Sequence, residues 1–250
     1  MSRLISVDCT KIDNSEVLGS RMAGWYTPLD ILNSESICYC FGAGEDVSFD
    51  CSLIRQFGCE VFTFDQTPRA TAHIEELISK TLGKDRVYVK NDETTIDQIS
   101  RLEVYKINRE EIEKLNYYNI GVWSQDMKHK FFFPKRDEVV SCSVTIIQNT
   151  EDYFEAQCLT LSSIMKKFEH TNIDLLKMDI EGAEYEVVNS MIASNIRPKI
   201  LGLEFHFDDR KSFSLELMKI RNMIKSIRLY GMVPVFHQNF DMVFLREDCI

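Results

Sequence analysis

The chain of 250 residues is 44% hydrophobic and 27% charged, with a formal net charge of −10. That length and apolar fraction suit one large domain with a sizeable core. The acidic balance argues against nucleic acid as a partner, because it repels a phosphate backbone; no apolar run reaches the ~20 residues of a membrane-spanning helix.

The opening residues, MSRLISVDCTKIDNSE, lack the basic-then-apolar order of a secretory signal. Eight cysteines include no CxxC pair and no zinc-finger spacing with histidine. Buried free thiols serving as small hydrophobes in a reducing, cytoplasmic setting are therefore expected.

Residues 1–35 are expected to form a helical lead-in to a domain over 36–250, with a turn bearing aromatic side chains at Gly24-Trp25-Tyr26-Thr27-Pro28. Ile37–Phe41 alternates as a strand, with Cys38 and Cys40 on one side, and Gly42-Ala43-Gly44-Glu45-Asp46 stops it. Ser48–Gln56 has helical spacing ended by Gly58, and Glu60–Phe64 is a second strand closing on Asp65. Thr67-Pro68 opens a helix that runs to about Leu82, with proline suited to the first turn. Arg86–Val89 suggests a short strand, Asn91–Lys114 has no usable periodicity, and Tyr117–Trp123 reads as a core strand. Phe131–Pro134 and Val139–Ile147 read as β structure or an excursion over the active face, and Leu159–Phe168 as a helix. Ile173–Met178 is a strand ending at Asp179, followed by a helix over Glu181–Ala193 and a strand over Ile200–Leu203. A long amphipathic helix spans Phe213–Tyr230, and Met232–Phe236 with Met242–Leu245 predicts an antiparallel pair at a sheet edge.

Strands alternating with helices predict an α/β fold with a mostly parallel sheet and helices on both faces. Such sheets bind ligands beyond the carboxyl ends of their strands, near the point where strand order reverses. That rule directs attention to the turns after Phe41, Phe64, Val122, Met178 and Leu203.

In the first turn, Gly42 and Gly44 allow close approach of backbone to a ligand. Asp65, about twenty residues on, can accept hydrogen bonds from both hydroxyls of a ribose; otherwise it caps the helix after Gln66. These features alone fit either a nicotinamide cofactor or S-adenosylmethionine. A pyrophosphate needs an unopposed helix N-terminus, and Glu45 and Asp46 put carboxylates there instead. Those charges favour a sulfonium or ammonium cation.

The second signal is Asp179 at the end of a central strand, followed by Glu181 and Glu184. It can orient the cofactor, take a proton or bind a metal, or it can simply cap the helix that follows. Glu204 and His206 follow the next strand on one side of extended chain. Histidine titrates near neutral pH, so His206 is the first candidate for the base that deprotonates a hydroxyl; otherwise it is a surface residue beside Asp208 and Asp209. The catalytic set is thus His206, Asp179 and Glu204. No metal is expected, although these three with Glu181 could together hold a hard divalent ion.

The run DLLKMDIEGAEYEVV, Asp174–Val188, closely resembles the signature of FkbM-type methyltransferases. CYCFGAGEDVSFD (Cys38–Asp50), GCEVFTFDQTPRA (Gly58–Ala70) and NIGVWSQD (Asn119–Asp126) resemble that family's first three cofactor-facing segments. The resemblance covers roughly Gly19 to Arg246. It implies a class I, Rossmann-like fold with a seven-stranded sheet. It also implies S-adenosylmethionine as cofactor and O-methylation of a sugar, glycan or other small metabolite. By that resemblance the cofactor would lie on Phe41, Gly42, Ala43, Gly44, Asp65 and Gln66, with Gly121 and Val122 bordering its adenine and Asp179 facing it. Asp46 stands where commoner class I proteins often carry a third glycine. Val139–Asn149 would supply part of the acceptor pocket, with Trp25 and Tyr26 either closing it or packed in the core. The competing readings are a nicotinamide-dependent oxidoreductase and a non-catalytic module that binds the cofactor.

Overall fold

A computed structural model describes residues 5, 7–83, 105–133, 152–208 and 211–250. The expected strand at 86–89, the β structure at 139–147 and residues 91–104 of the polar stretch lie outside the described residues.

The lead-in differs from the helical expectation. Among its described residues it forms a hairpin of β1 (Ser15–Leu18) and β2 (Trp25–Pro28), paired antiparallel with Leu18 opposite Trp25. The glycines at its end and the chain's approach to the sheet explain the change. Gly19 takes φ +105°, and a Cβ on Gly24 would stand 2.5 Å from the Ser20 carbonyl oxygen. Residues 25–28 of the expected aromatic turn are strand, with Trp25 buried against Gly202.

The main sheet holds β3 (Ile37–Phe41), β4 (Glu60–Phe64), β5 (Leu115–Tyr118), β9 (Leu175–Met178), β10 (Ile200–Glu204), β11 (Met232–Gln238) and β12 (Asp241–Arg246). Their spatial order is β11-β12-β10-β9-β3-β4-β5. The five strands from β10 to β5 pair in parallel, and β12 pairs antiparallel with β10 and with the edge strand β11. Order reverses between β3 and β9, which places the crevice at their carboxyl ends. A second sheet joins β6 (Gly121–Val122), β7 (Met127–Phe132) and β8 (Tyr153–Leu159). The stretch 117–123, expected as one strand, is therefore divided between two sheets. The strand β8 also occupies residues ahead of the helix expected from Leu159.

Helices cover both faces of the main sheet. On one side lie α1 (Ser48–Phe57) and α2 (Pro68–Thr81), whose Leu53, Ile54, Ile74 and Leu77 pack with Cys38 and Cys40 of β3. A short α3 (Arg109–Ile112) adds Ile112 there. On the other side α4 (Leu161–Lys167), α5 (Glu184–Ala193) and α6 (Phe213–Leu229) pack with Tyr39 and Phe41. Alternation along β3 thus decides which residue meets which layer. Each fully buried large side chain in these clusters contributes about 1.5–3 kcal/mol of transfer free energy.

Local signals set the helix ends. Gly58 ends α1 at φ +68°, its N–H bonded to the Ile54 carbonyl. Thr67 caps α2 ahead of Pro68, and Thr160 caps α4 through Ser163 N–H. Asn108 and Glu111 form a reciprocal capping box at α3.

Candidate active site

A cavity of about 760 Å³ opens beyond the carboxyl ends of β3, β4, β9 and β10, at the reversal of strand order. Its size falls within the ~300–1,000 Å³ usual for small-molecule sites.

The glycine turn forms its floor. Gly42 takes φ +79°, and a Cβ there would fall 1.7 Å from the Asp179 carbonyl oxygen. Gly44 takes φ +53°, with open space where its Cβ would be. One glycine is needed for close packing of two strand ends, and the other leaves room in the cavity. Lys177 of β9 is buried and donates to the carbonyls of Phe41 at 3.1 Å and Gly42 at 2.6 Å, tying β9 to the turn.

Asp65 holds this turn from the side. Its Oδ2 accepts from Ala43 N–H and Gly44 N–H, both at 2.9 Å. Its Oδ1 accepts from Thr67 N–H at 2.7 Å and Thr67 Oγ1 at 2.6 Å. A carboxylate offers about four lone-pair sites, so these bonds use them all. A ribose reaching Asp65 has to exchange with the N–H groups of the turn.

The hairpin loop closes one wall. Ser20 Oγ donates to Asp46 Oδ2 at 2.7 Å, and Ser20 N–H donates to Ser48 Oγ at 2.7 Å. Glu45 is paired with Arg69, at 3.0 Å to Nε and 2.9 Å to a terminal nitrogen. This pairing weakens the share of Glu45 in repelling a pyrophosphate, while Asp46 still faces the cavity. Eight acidic side chains line the cavity against Arg21 and Lys177. That imbalance favours a cationic ligand.

The far end gathers Asp179, Glu181, Glu204 and His206. His206 Nδ1 stands 2.8 Å from Glu184 Oε1, and its Nε2 lies 3.6 Å from Asp179, 3.6 Å from Glu181 and 4.0 Å from Glu204. Burial by itself would lower the imidazole pKa. The hydrogen bond to Glu184 and the charges of Glu184, Glu181 and Asp179 outweigh it and push it up to about 10. Burial first, and then the Asp179 charge, push the neighbouring Glu204 up to about 8. Burial also raises Asp241, which pairs with Glu204 across β10 and β12. These shifts favour the protonated form of both groups, and of the two Glu204 is the one that loses its proton nearer neutral pH.

The helix α5 begins at Glu184, not Glu181, and its N-cap is Ala183, without a side-chain cap. Asp179 therefore does not cap it. The Glu184 carboxylate instead turns back to accept from Ile180 N–H and Gly182 N–H.

Of the residues expected to carry the cofactor, Gly42, Ala43, Gly44, Asp65, Gln66 and Asp179 line the cavity. Phe41 is buried outside the lining, stacked on Phe64 at 4.5 Å, and its carbonyl accepts from Lys177 and from Asp179 N–H. Gly121 and Val122 are buried in the second sheet outside the lining; a Cβ on Gly121 would meet Gln66 Oε1 at 3.2 Å. Among the pair expected to close the acceptor pocket, Trp25 lines the cavity, whereas Tyr26 stacks on Phe236. Sequence reasoning missed Lys177, Asp241, Tyr105 and the Ser20–Gly24 loop. Only Lys177 left a trace, as a lone cation in an apolar strand.

The model of the methyltransferase FkbM domain family matches residues 37–233 of the chain. No curated protein matches the chain. Among solved structures, a crystal structure of methyltransferase FkbM from Methylobacillus flagellatus KT is similar, with 13% identity and a TM-score of 0.48. The similarity covers 85% of this chain and 43% of that one, so the chain spans less than half the length of that protein.

Proposed function

This chain belongs to the FkbM methyltransferase family, and we propose that it transfers the methyl group of S-adenosylmethionine to a hydroxyl oxygen of a sugar-like acceptor. The observation that carries this reading is the acid-lined cavity at the reversal of strand order, floored by Gly42 and Gly44. The open space at Gly44 and the excess of carboxylates fit a cofactor that is a sulfonium cation with an ammonium group.

S-adenosylmethionine, when bound, supplies an electrophilic methyl group. The chain's own residues orient the partners and move the proton. Asp65 keeps the turn open through Ala43 and Gly44 and offers its carboxylate to ribose hydroxyls by exchange with them. Asp46, at the start of α1, opposes binding of an anion there. At the far end, Asp179, Glu181, Glu204 and Asp241 present acceptor oxygens on one wall. Several carboxylates side by side suit an acceptor with several hydroxyl groups, each a donor. Glu204 faces the cavity with a side chain 38% exposed, and we assign it to receive the proton of the reacting hydroxyl, a role that with its raised pKa requires turnover to climb as pH rises through about 8.

Calorimetric titration with S-adenosylhomocysteine tests the cofactor, and methyl transfer from labelled S-adenosylmethionine to a panel of sugars and glycosides tests the acceptor. Saturable binding and label recovered in an ether linkage are expected. Absence of cofactor binding removes the reading, and label found only on nitrogen or sulfur acceptors removes its oxygen specificity. A soluble location in the cytoplasm belongs to the same proposal; among the described residues, no helix is long and apolar enough to cross a membrane.

A further inference from the structure

We propose that Asp179, Glu181 and His206 form a divalent-cation site at the far end of the cavity, with Glu184 as the group that orients the histidine.

The three side chains come from two parts of the fold: Asp179 and Glu181 from the turn between β9 and α5, and His206 from the segment after β10. Their ligand atoms nevertheless lie within 4.8 Å of one another. His206 Nε2 stands 3.6 Å from an oxygen of Asp179 and 3.6 Å from one of Glu181. Ligands held about 2.1 Å from a shared ion stand roughly 3.0–3.4 Å apart, so closure needs only small side-chain rotations.

The orientation of the imidazole is a separate observation. Nδ1 is engaged by Glu184 at 2.8 Å, which leaves Nε2 as the atom turned toward both carboxylates. Metal-bound histidines almost always give their second nitrogen to a carboxylate, carbonyl or water in this way. The Glu184 side chain is fully buried and aimed at His206, and its Oε2 has no hydrogen-bond partner among the described residues. A buried carboxylate left partly unsatisfied is costly unless positive charge stands close by.

Charge points the same way. Asp179, Glu181, Glu184, Glu204 and Asp241 crowd one end of the cavity. The nearby Lys177 spends its hydrogen bonds on the carbonyls of Phe41 and Gly42 and is 3.8 Å from Asp179. A doubly charged ion bound there would take the place of the His206 proton, which coordination through Nε2 releases. Two carboxylates and one imidazole mix hard oxygen with nitrogen, a set better matched to Mn²⁺ than to Mg²⁺. Such an ion would lie beside Glu204, where it would bind the acceptor hydroxyl and ease loss of its proton. Only that catalytic use rests on the methyl-transfer reading; the ion site stands on its own side chains.

The test is titration of the chelator-stripped chain with MnCl₂, following the electron paramagnetic resonance signal of free Mn²⁺. One saturable site per chain is expected below millimolar Mn²⁺. Glu181→Gln and His206→Gln should each weaken binding at least tenfold, the scale on which metal sites respond to such losses. Glu181 is about one-third exposed, so Glu181→Gln should keep the native thermal midpoint and separate ligand loss from misfolding. No saturable loss of signal up to millimolar MnCl₂, or undiminished binding by a folded Glu181→Gln, overturns the site. Binding of S-adenosylhomocysteine to the same stripped protein reads the cofactor separately. Cofactor binding without Mn²⁺ binding refutes the ion site alone, and the reverse refutes methyl transfer alone.

Discussion

The backbone of Asp179 occupies the space into which any side chain at position 42 would project, since a Cβ on Gly42 would lie 1.7 Å from the Asp179 carbonyl oxygen. The two halves of the cavity, the turn after β3 and the end of β9, are thereby locked together through a glycine. Gly42→Ala must push β9 away or distort the turn. It should destabilise the chain by about 1–3 kcal/mol, as overpacking does, and weaken S-adenosylhomocysteine binding. Gly44→Ala meets open space and carries only the cost of its left-handed conformation, about 1 kcal/mol. Urea denaturation should therefore rank the two variants. Equal stability loss in both would refute the close approach at Gly42.

Asp65→Ala should lower stability even without cofactor. It strands the N–H groups of Ala43, Gly44 and Thr67, which now all bond to the carboxylate. A loss of about 1–3 kcal/mol is expected for such orphaned buried donors, read as a drop in the urea midpoint. A cofactor-free midpoint equal to that of the native chain would show that Asp65 serves the ligand only.

Glu204→Gln should reduce kcat by about 10²–10⁴-fold, the range for loss of a general base. Affinity for S-adenosylhomocysteine should stay close to native, because Glu204 is assigned to the acceptor's proton and not to the cofactor. Unchanged turnover in this variant would remove Glu204 from the proton path and return attention to Asp179.

His170 gives stability a pH dependence away from the cavity. Burial among Tyr39, Phe62 and Phe168 lowers its pKa below the ordinary 6.5. The folded chain then binds fewer protons at this site than the unfolded chain. The contribution of His170 is fully present above pH 6.5 and is lost as pH falls through the lowered folded value. Urea midpoints of His170→Asn measured from pH 8 to pH 5 should show a shallower acid-side decline than the native chain. Parallel profiles would contradict the shift.

Some of this architecture could be read directly from residue order. The strands β3 and β4 and the helices α1, α2 and α6 carry either alternation or 3.6-residue spacing, with glycine, threonine or proline at their ends. The glycine turn, Asp65 and the run from Asp174 to Val188 could be found for the same reason, since each lies within a few residues of its own chain context. The hairpin of β1 and β2 could not, because four-residue strands establish no period and their pairing is a contact between segments. Nor could the division of residues 117–123, where both halves are extended and only the partner strand tells them apart.

The local order of the chain was enough for its α/β layering, its place among the FkbM methyltransferases and most of the cavity floor, because short-range periodicity and turn chemistry encode those directly. The protonation of His206, the burial of Glu184 and the occupied carboxylate of Asp65 depend on groups that meet across 21 or 22 residues of sequence. Charge and desolvation act through space, so the first two exist only once α5 and the segment after β10 have packed together, and the third only once β4 has paired beside β3.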